Sequence, residues 1–143
     1  MIEVKNVRKS FDGKTILHGI DAVFKDGVTN LIIGQSGSGK TVLMKSLVGL
    51  HTPDSGEILY DGRDLLAMDG KQRKELRKEI GMLFQGSALF DSETVLGNVM
   101  FPLKMFSNMS HEEQLERAHF CIKRVNLKDA DNKYPSEISG GMQ

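Results

Sequence analysis

The run Gly34-Gln-Ser-Gly-Ser-Gly-Lys-Thr41 constrains this chain more than any other feature. It fits the phosphate-cradling pattern G-x-x-x-x-G-K-[ST] at every fixed position. An apolar run, Leu31-Ile32-Ile33, leads into it, and a helical pattern from Val42 to Val48 follows. The loop is therefore predicted between a buried strand and a helix N-terminus. Gly34, Gly37 and Gly39 let the backbone curl closely around an anion without Cβ clashes. The N–H groups of the loop, with Ser36 and Ser38, converge on phosphate oxygens, and the helix N-terminus adds positive potential. Lys40 reaches terminal phosphates as a point charge, and Thr41 offers a hydroxyl to Mg²⁺. A Gly/Ser-rich linker needs neither the Lys-Thr pair nor the apolar run before it.

At 143 residues the chain can bury one modest core. Lys+Arg and Asp+Glu number 19 each, which disfavours nucleic acid as a main partner because it rewards a basic excess. The single Cys121 excludes an internal disulfide and suits a reducing compartment. The first residues, Met1-Ile2-Glu3-Val4-Lys5, carry charge where a signal peptide would become apolar. No apolar run approaches the roughly 20 residues that span a bilayer. The expectation is a soluble protein, not inserted into a membrane, that works at one only if something else holds it there.

Along the chain, Ile2 to Val7 alternates like a half-buried strand. Asp12-Gly13 and Asp26-Gly27 are hairpin turn signals. Together they predict an antiparallel β layer over residues 1–30 that runs into the loop strand. Thr52 to Gly56 is turn chemistry, and Glu57-Ile58-Leu59-Tyr60 reads as a strand ended by Asp61-Gly62. Asp69 to Glu79 reads as a helix whose basic residues lie on a solvated face. Ile80 to Phe84 is a further short apolar strand. The period then changes to helical. Thr94 to Phe106 is a helix that Pro102 is expected to kink or end. Ser110 to Glu113 is a capping box, and Leu115, Ala118, Ile122 and Val125 line one face of the next helix. His119 and Cys121, two residues apart, point to different faces and read as packing residues instead of metal ligands. Met82, Met100, Met105 and Met109 read as core filler. The chain divides into a β-rich core, 1–85, and a helical part, 86–143.

The chain ends Ile138-Ser139-Gly140-Gly141-Met142-Gln143. Ser139-Gly140-Gly141 before a helix start is a second anion-binding candidate, though a helix cap explains it equally well. Taken together, the P-loop, a strand ending in Gln85, a helical arm and this triplet resemble the ATP-binding subunits of ABC transporters. The resemblance covers the whole chain. It implies an α/β P-loop NTPase core with an N-terminal antiparallel β layer and a helical arm. Gly34 to Thr41 match the family's Walker A. Gln85 matches its Q-loop, which in the family senses Mg²⁺ and the attacking water, and Ser139, Gly140 and Gly141 match its signature motif. Phe11 sits where the family stacks an aromatic ring on adenine; turn packing is the other reading. The implied cofactors are ATP and Mg²⁺. The implied partners are a second ATP-binding subunit and a membrane permease. The implied location is the cytoplasmic face of the cell membrane, held through the permease.

Two departures stand out. Met142 occupies the place of the glutamine in the commoner L-S-G-G-Q form. That variant, with Ala88-Leu89-Phe90-Asp91-Ser92 after Ser87, Thr94-Val95, Asn98-Val99 and Phe101-Pro102-Leu103, resembles the branch serving Mce/Mla-type phospholipid transporters. The family's Walker B aspartate, catalytic glutamate, D-loop and switch histidine also have no counterpart here. The resemblance places the strands that carry them between the Leu31 and Gln85 strands. This chain is therefore expected to bind nucleotide weakly without turnover, and to leave those strands unpaired or paired in another way. The alternatives are a soluble ABC protein of DNA repair or translation, a small P-loop kinase, and a module that only binds nucleotide.

Overall fold

A computed structural model describes residues 1–84, 86 and 88–143. They form two compact units, Met1–Gly81 and Met82–Gln143, each with its own apolar cluster.

The first unit is built on an antiparallel sheet of strand order β2-β1-β3-β4. Strand β1 (Ile2–Phe11) turns through Asp12-Gly13 into β2 (Lys14–Phe24), with Phe11 opposite Lys14. Both turn residues take positive φ, 48° and 78°, the hand that matches the twist of the flanking strands. Strand β3 (Ser55–Tyr60) pairs with the other edge of β1 and turns through Asp61-Gly62 into the short β4 (Arg63–Asp64). The simple alternation expected over Ile2–Val7 is interrupted. Asn6 adopts a φ of 47°, and pairing on both sides of β1 shifts register beside it. The bulge brings Val4 and Val7, three residues apart, into the same core. It also dictates its neighbour. A Cβ on Gly56, where φ is +97°, would lie 2.5 Å from the Asn6 carbonyl oxygen.

Helix α1 (Lys40–Leu47) buries Leu43, Ser46 and Leu47, the spacing of one helical face. Leu43 and Leu47 join Val4, Val7, Leu17, Ile58, Tyr60, Leu65 and Leu76 in one core. The Tyr60 hydroxyl donates to the Leu47 carbonyl at 2.7 Å, fastening β3 to the end of α1. Burial pushes that phenol's pKa up. Helix α2 (Gly70–Lys78) starts at a capping box between Asp69 and Gln72 and buries only Leu76.

Two expected strands do not form. Leu31-Ile32-Ile33 and Ile80 to Phe84 lie outside the sheet. Ile32 and Ile80 pack against the core, but Leu31, Ile33 and Leu83 are 80%, 82% and 86% exposed. An apolar run becomes a strand only by pairing, and no described strand lies in register with either run. For the same reason Asp26-Gly27 forms a turn that ends β2 without opening a hairpin.

In the second unit, α3 (Val95–Phe106) starts at Thr94, whose side chain accepts from Gly97 N–H, and continues through Pro102 without ending there. Helix α4 (His111–Arg124) starts at the expected box: Ser110 Oγ accepts from Glu113 N–H, and Glu113 Oε2 accepts from Ser110 N–H at 2.7 Å. Val95, Ile122 and Ala130 form the unit's core, packed by Leu96, Val99, Leu127, Ile138 and Met142. Ala118 and Ile122 are buried as expected, but Val125 is 67% exposed. It is the C-cap, where the backbone leaves helical values and the side chain leaves the face. His119 is exposed as well and does not pack; its Nδ1 lies 2.9 Å from Asp131 Oδ2. Met100 is core, whereas Met105 and Met109 are exposed. Five residues beyond Met100, Met105 sits about 140° around the helix. No described helix is long and apolar enough to cross a membrane.

Candidate functional site

The loop after Ile33 is organised by its own lysine. Lys40 Nζ donates to the carbonyls of Gly34 at 2.8 Å and Gln35 at 2.7 Å, which fold back over it. Ser36 and Gly37 occupy the centre of a turn closed by Ser38 N–H donating to Gln35 O at 3.2 Å. Gly37 takes a φ of 78° there. A Cβ on Gly34 would stand 2.7 Å from Ser38 Oγ, so that hydroxyl would have to turn aside. Gly39 is the N-cap of α1 in the left-handed region and provides no side-chain cap. The first N–H groups of α1 are thus left without the side-chain acceptor that a serine or aspartate cap would supply. That end of the helix combines unsatisfied donors with positive dipole potential, which suits an anion.

Phe11, Gly37, Gly39, Lys40 and Thr41 line one cleft of about 290 Å³, completed by Ile16 and Val42. The β1–β2 turn therefore carries an exposed aromatic ring to the same opening as the loop lysine and the exposed Thr41. A larger opening of about 650 Å³ lies between β2 and residues 29–33 and also reaches Ser38, Gly39 and Lys40. Its walls include Leu17, Phe24, Leu31 and Leu43 beside Asn30, Ser38 and Lys40, and Phe11 and Thr41 are not among them. The smaller cleft has the chemistry of a nucleotide site: backbone donors, an ammonium, a hydroxyl and an aromatic face.

Phe11 does not stand alone. Its ring meets His51 edge-on, with centroids 5.3 Å apart and planes at 71°. Lys9 Nζ lies 5.3 Å from the ring centroid and donates to Asp54 Oδ1 at 2.7 Å. That hydrogen bond holds the Asp54 carboxyl below the usual carboxylate range, helped by Ser10 N–H. Sequence reasoning missed these three residues. Lys9, two positions before Phe11 on a strand, had a local signal. Asp54 lies in the turn before β3 and had none, because its place depends on β3 pairing with β1.

Gln85 and Ser87 lie outside the described residues. Ser139, Gly140 and Gly141 belong to the second unit and are exposed in a turn where Met142 N–H and Gln143 N–H both donate to Ser139 O, at 2.8 and 3.1 Å. The Gln143 side-chain amide donates to Pro135 O at 2.7 Å. Met142 is half-buried against the unit's core, so this thioether anchors the turn. No group of three or more potential metal ligands gathers among the described residues.

A family model described as ABC transporter matches residues 17–143. The methionine import ATP-binding protein MetN 2 of Enterococcus faecalis is 40% identical over 147 residues, covering 100% of this chain and 42% of that protein. The probable ribonucleotide transport ATP-binding protein mkl of Mycobacterium leprae is 37% identical, covering 99% of this chain and 41% of that protein. Neither name is that of a phospholipid transporter. The chain spans about two fifths of the length of these curated relatives. Among solved structures, a dimeric bacterial ABC transporter cassette superposes with a TM-score of 0.89 at 33% identity, covering 99% of this chain and 65% of that one. A post-hydrolysis state of that cassette bound to ADP and Pi superposes equally well at 32% identity.

Proposed function

The chain belongs to the ABC transporter family, and on that premise we propose that it is the nucleotide-binding part of a transporter's ATP-binding subunit. The observation that carries this reading is the single cleft shared by Phe11, Gly37, Gly39, Lys40 and Thr41. Adenine stacks on Phe11, and the phosphates enter the loop of Gly34, Ser36, Gly37, Ser38 and Gly39. There Lys40 exchanges two carbonyl acceptors for phosphate oxygens. The donor set suits Mg²⁺ as well: Thr41 would hold it together with phosphate oxygens, and Gln85 is the second candidate ligand. When bound, Mg²⁺ neutralises charge on the terminal phosphates.

In this reading residues 1–85 form the nucleotide core and 86–143 the helical subdomain. Ser139, Gly140 and Gly141 face the γ-phosphate held by a second ATP-binding subunit, and a permease holds the assembly at the cytoplasmic face of the membrane. Hydrolysis coupled to transport is the activity of the whole protein. The chain described here binds nucleotide without meaningful turnover, because no described residue stands in for the water-activating carboxylate of the family. The test is binding of labelled ATP with Mg²⁺ to the chain and to its Lys40→Ala variant. Loss of a charge-assisted contact of about 1.5–3 kcal/mol weakens binding roughly ten- to a hundredfold. Equal binding by the variant would overturn the site.

For the cargo, the names of the relatives favour methionine, with ribonucleotide second. Phospholipid has one observation in its favour, the Met142 variant of the signature turn together with the segment from Ser87 to Leu103. Uptake of labelled methionine, set against lipid transfer between membranes, by cells with and without the protein separates these readings.

A further inference from the structure

We propose that Lys9 and His51 are positioning residues for Phe11, with Asp54 as the anchor that fixes Lys9. This rests on the reading of Phe11 as the ring that stacks on the nucleotide base. A phenyl ring on a hairpin turn has two free torsions, and each reorientation moves the stacking face. Here two sides of the ring are already taken. Lys9 Nζ stands 5.3 Å from the centroid, within cation–π range, and His51 meets it edge-on. Neither residue lines the cleft that Phe11 shares with Lys40 and Thr41. The sides they occupy are therefore not the one turned to the cleft.

Lys9 is held for this task. Its side chain is only 17% exposed, unusual for a surface-strand lysine, and its ammonium is bonded to Asp54 Oδ1. Asp54 in turn is fixed through the backbone at both ends: Ser10 N–H donates to Oδ2 at 2.6 Å, and Asp54 N–H donates to Arg8 O at 2.8 Å. The ammonium is thus tethered to the strand that bears Phe11. His51 reaches the ring from the segment after α1, where its N–H donates to Lys45 O at 3.2 Å. The ring is thus held by a residue of its own strand and by one from the segment that follows the helix starting at the phosphate loop.

The experiment compares ATP with inorganic tripolyphosphate, which has the phosphates but no base, as ligands of the chain with Mg²⁺ present. Phe11→Ala is expected to weaken ATP about tenfold and leave tripolyphosphate unchanged. Lys9→Met is expected to weaken ATP about threefold, leave tripolyphosphate unchanged, and have no further effect in a Phe11→Ala background. If Phe11→Ala weakens ATP but Lys9→Met does not, Lys9 does not position the ring, although the stacking reading survives. If Lys9→Met weakens both ligands equally, Lys9 acts on phosphate charge and the proposal fails. If Phe11→Ala spares ATP, the stacking reading itself fails and the proposal with it. Should Lys9→Met not fold, Asp54→Asn keeps the side-chain size and releases the ammonium; the same selective loss for ATP is expected, and its absence would refute the anchor.

Discussion

The two glycine-rich loops of this chain obey different rules. In the loop from Gly34 to Lys40 the fold itself demands glycine. A Cβ on Gly39 would lie 3.0 Å from Ile16 Cγ2 and 3.2 Å from the Ile16 carbonyl oxygen, at a φ of +92°. Gly37 takes a φ of +78°, a backbone conformation that side chains strain, whereas at Gly34 only the Ser38 hydroxyl would have to turn aside. In the turn from Ser139 to Gly141, a Cβ on Gly140 or Gly141 would meet nothing within 4 Å, and neither residue takes a positive φ. Nothing in the chain's own structure asks for glycine there. On the reading proposed, the demand comes from a nucleotide phosphate that approaches the backbone from another subunit. One loop is shaped from within, the other for something outside.

The sharpest test of that contrast is binding to the chain alone. Lys40→Ala should weaken Mg·ATP roughly ten- to a hundredfold, while Ser139→Ala should leave affinity unchanged within about twofold, near the scatter of neutral surface changes. A comparable loss from Ser139→Ala, read by titration of a fluorescent ATP analogue, would erase the distinction. Stability should divide the same way. Gly39→Ala forces a side chain into left-handed backbone beside Ile16 and should cost about 1–3 kcal/mol. Gly141→Ala should stay within about 0.5 kcal/mol. Urea unfolding of both variants decides this, and a large loss at Gly141 would mean that the open turn carries a constraint of its own.

The turn from Ser139 to Gly141 is held from behind, by Met142. Its side chain packs with Leu96, Val99, Leu127 and Ile138 on the core of the second unit. Met142→Ala should cost about 1 kcal/mol, less than a fully buried methionine because the residue is only half-buried. Met142→Leu should be close to neutral, as volume-conserving swaps are. Met142→Gln should resemble the alanine variant, since it presses an amide against apolar neighbours. If thermal melts show Met142→Gln to be as stable as the parent chain, the side chain is not the anchor.

How much of this was legible depended on whether the signal was local. The helix after the glycine-rich loop, the capping box at Ser110 and the Asp12-Gly13 hairpin are written in residues within a few positions of one another, and all three are found in the structure as read. The antiparallel layer was legible too, but not its bulge. Asn6 is held by Asp21, whose Oδ1 accepts its N–H at 2.9 Å, and it is matched by Gly56 on a strand fifty residues away. The runs at Leu31 and Ile80 have strand composition, yet composition supplies no partner, and a strand is a pairing before it is a propensity. Within the candidate site the loop was readable and the support of Phe11 was not. Lys9, His51 and Asp54 meet only because β3 lies beside β1 and α1 ends near the hairpin turn.

The smallest expected effect concerns how each unit holds its charges. In the first unit, the hydrogen bond from Lys9, then that from Ser10 N–H, lower the Asp54 pKa. In the second, the hydrogen bond from Ser110 N–H lowers the Glu113 pKa. Both carboxyls are therefore depressed in the folded state. The stability each contributes is complete above its unfolded pKa, about 3.9 for Asp and 4.3 for Glu. It is lost as pH falls through the folded value, because over that range the unfolded chain binds the proton more readily than the folded one. The partners differ, and so should the response to salt. An ammonium–carboxylate pair is screened by added ions, whereas a carboxylate accepting a backbone N–H at a helix start owes more to hydrogen-bond geometry. Thermal midpoints between pH 3 and pH 6 should thus show an acid limb that shrinks in Lys9→Met and loses part of its salt dependence there, the Arg63–Glu79 and N-terminus–Asp61 pairs keeping the rest. In Glu113→Gln the limb should shrink while its remaining salt dependence persists. A Lys9→Met chain with the parent's salt dependence would mean that the Lys9–Asp54 contact carries no weight in solution, and the support of the Phe11 ring would then rest on His51 alone.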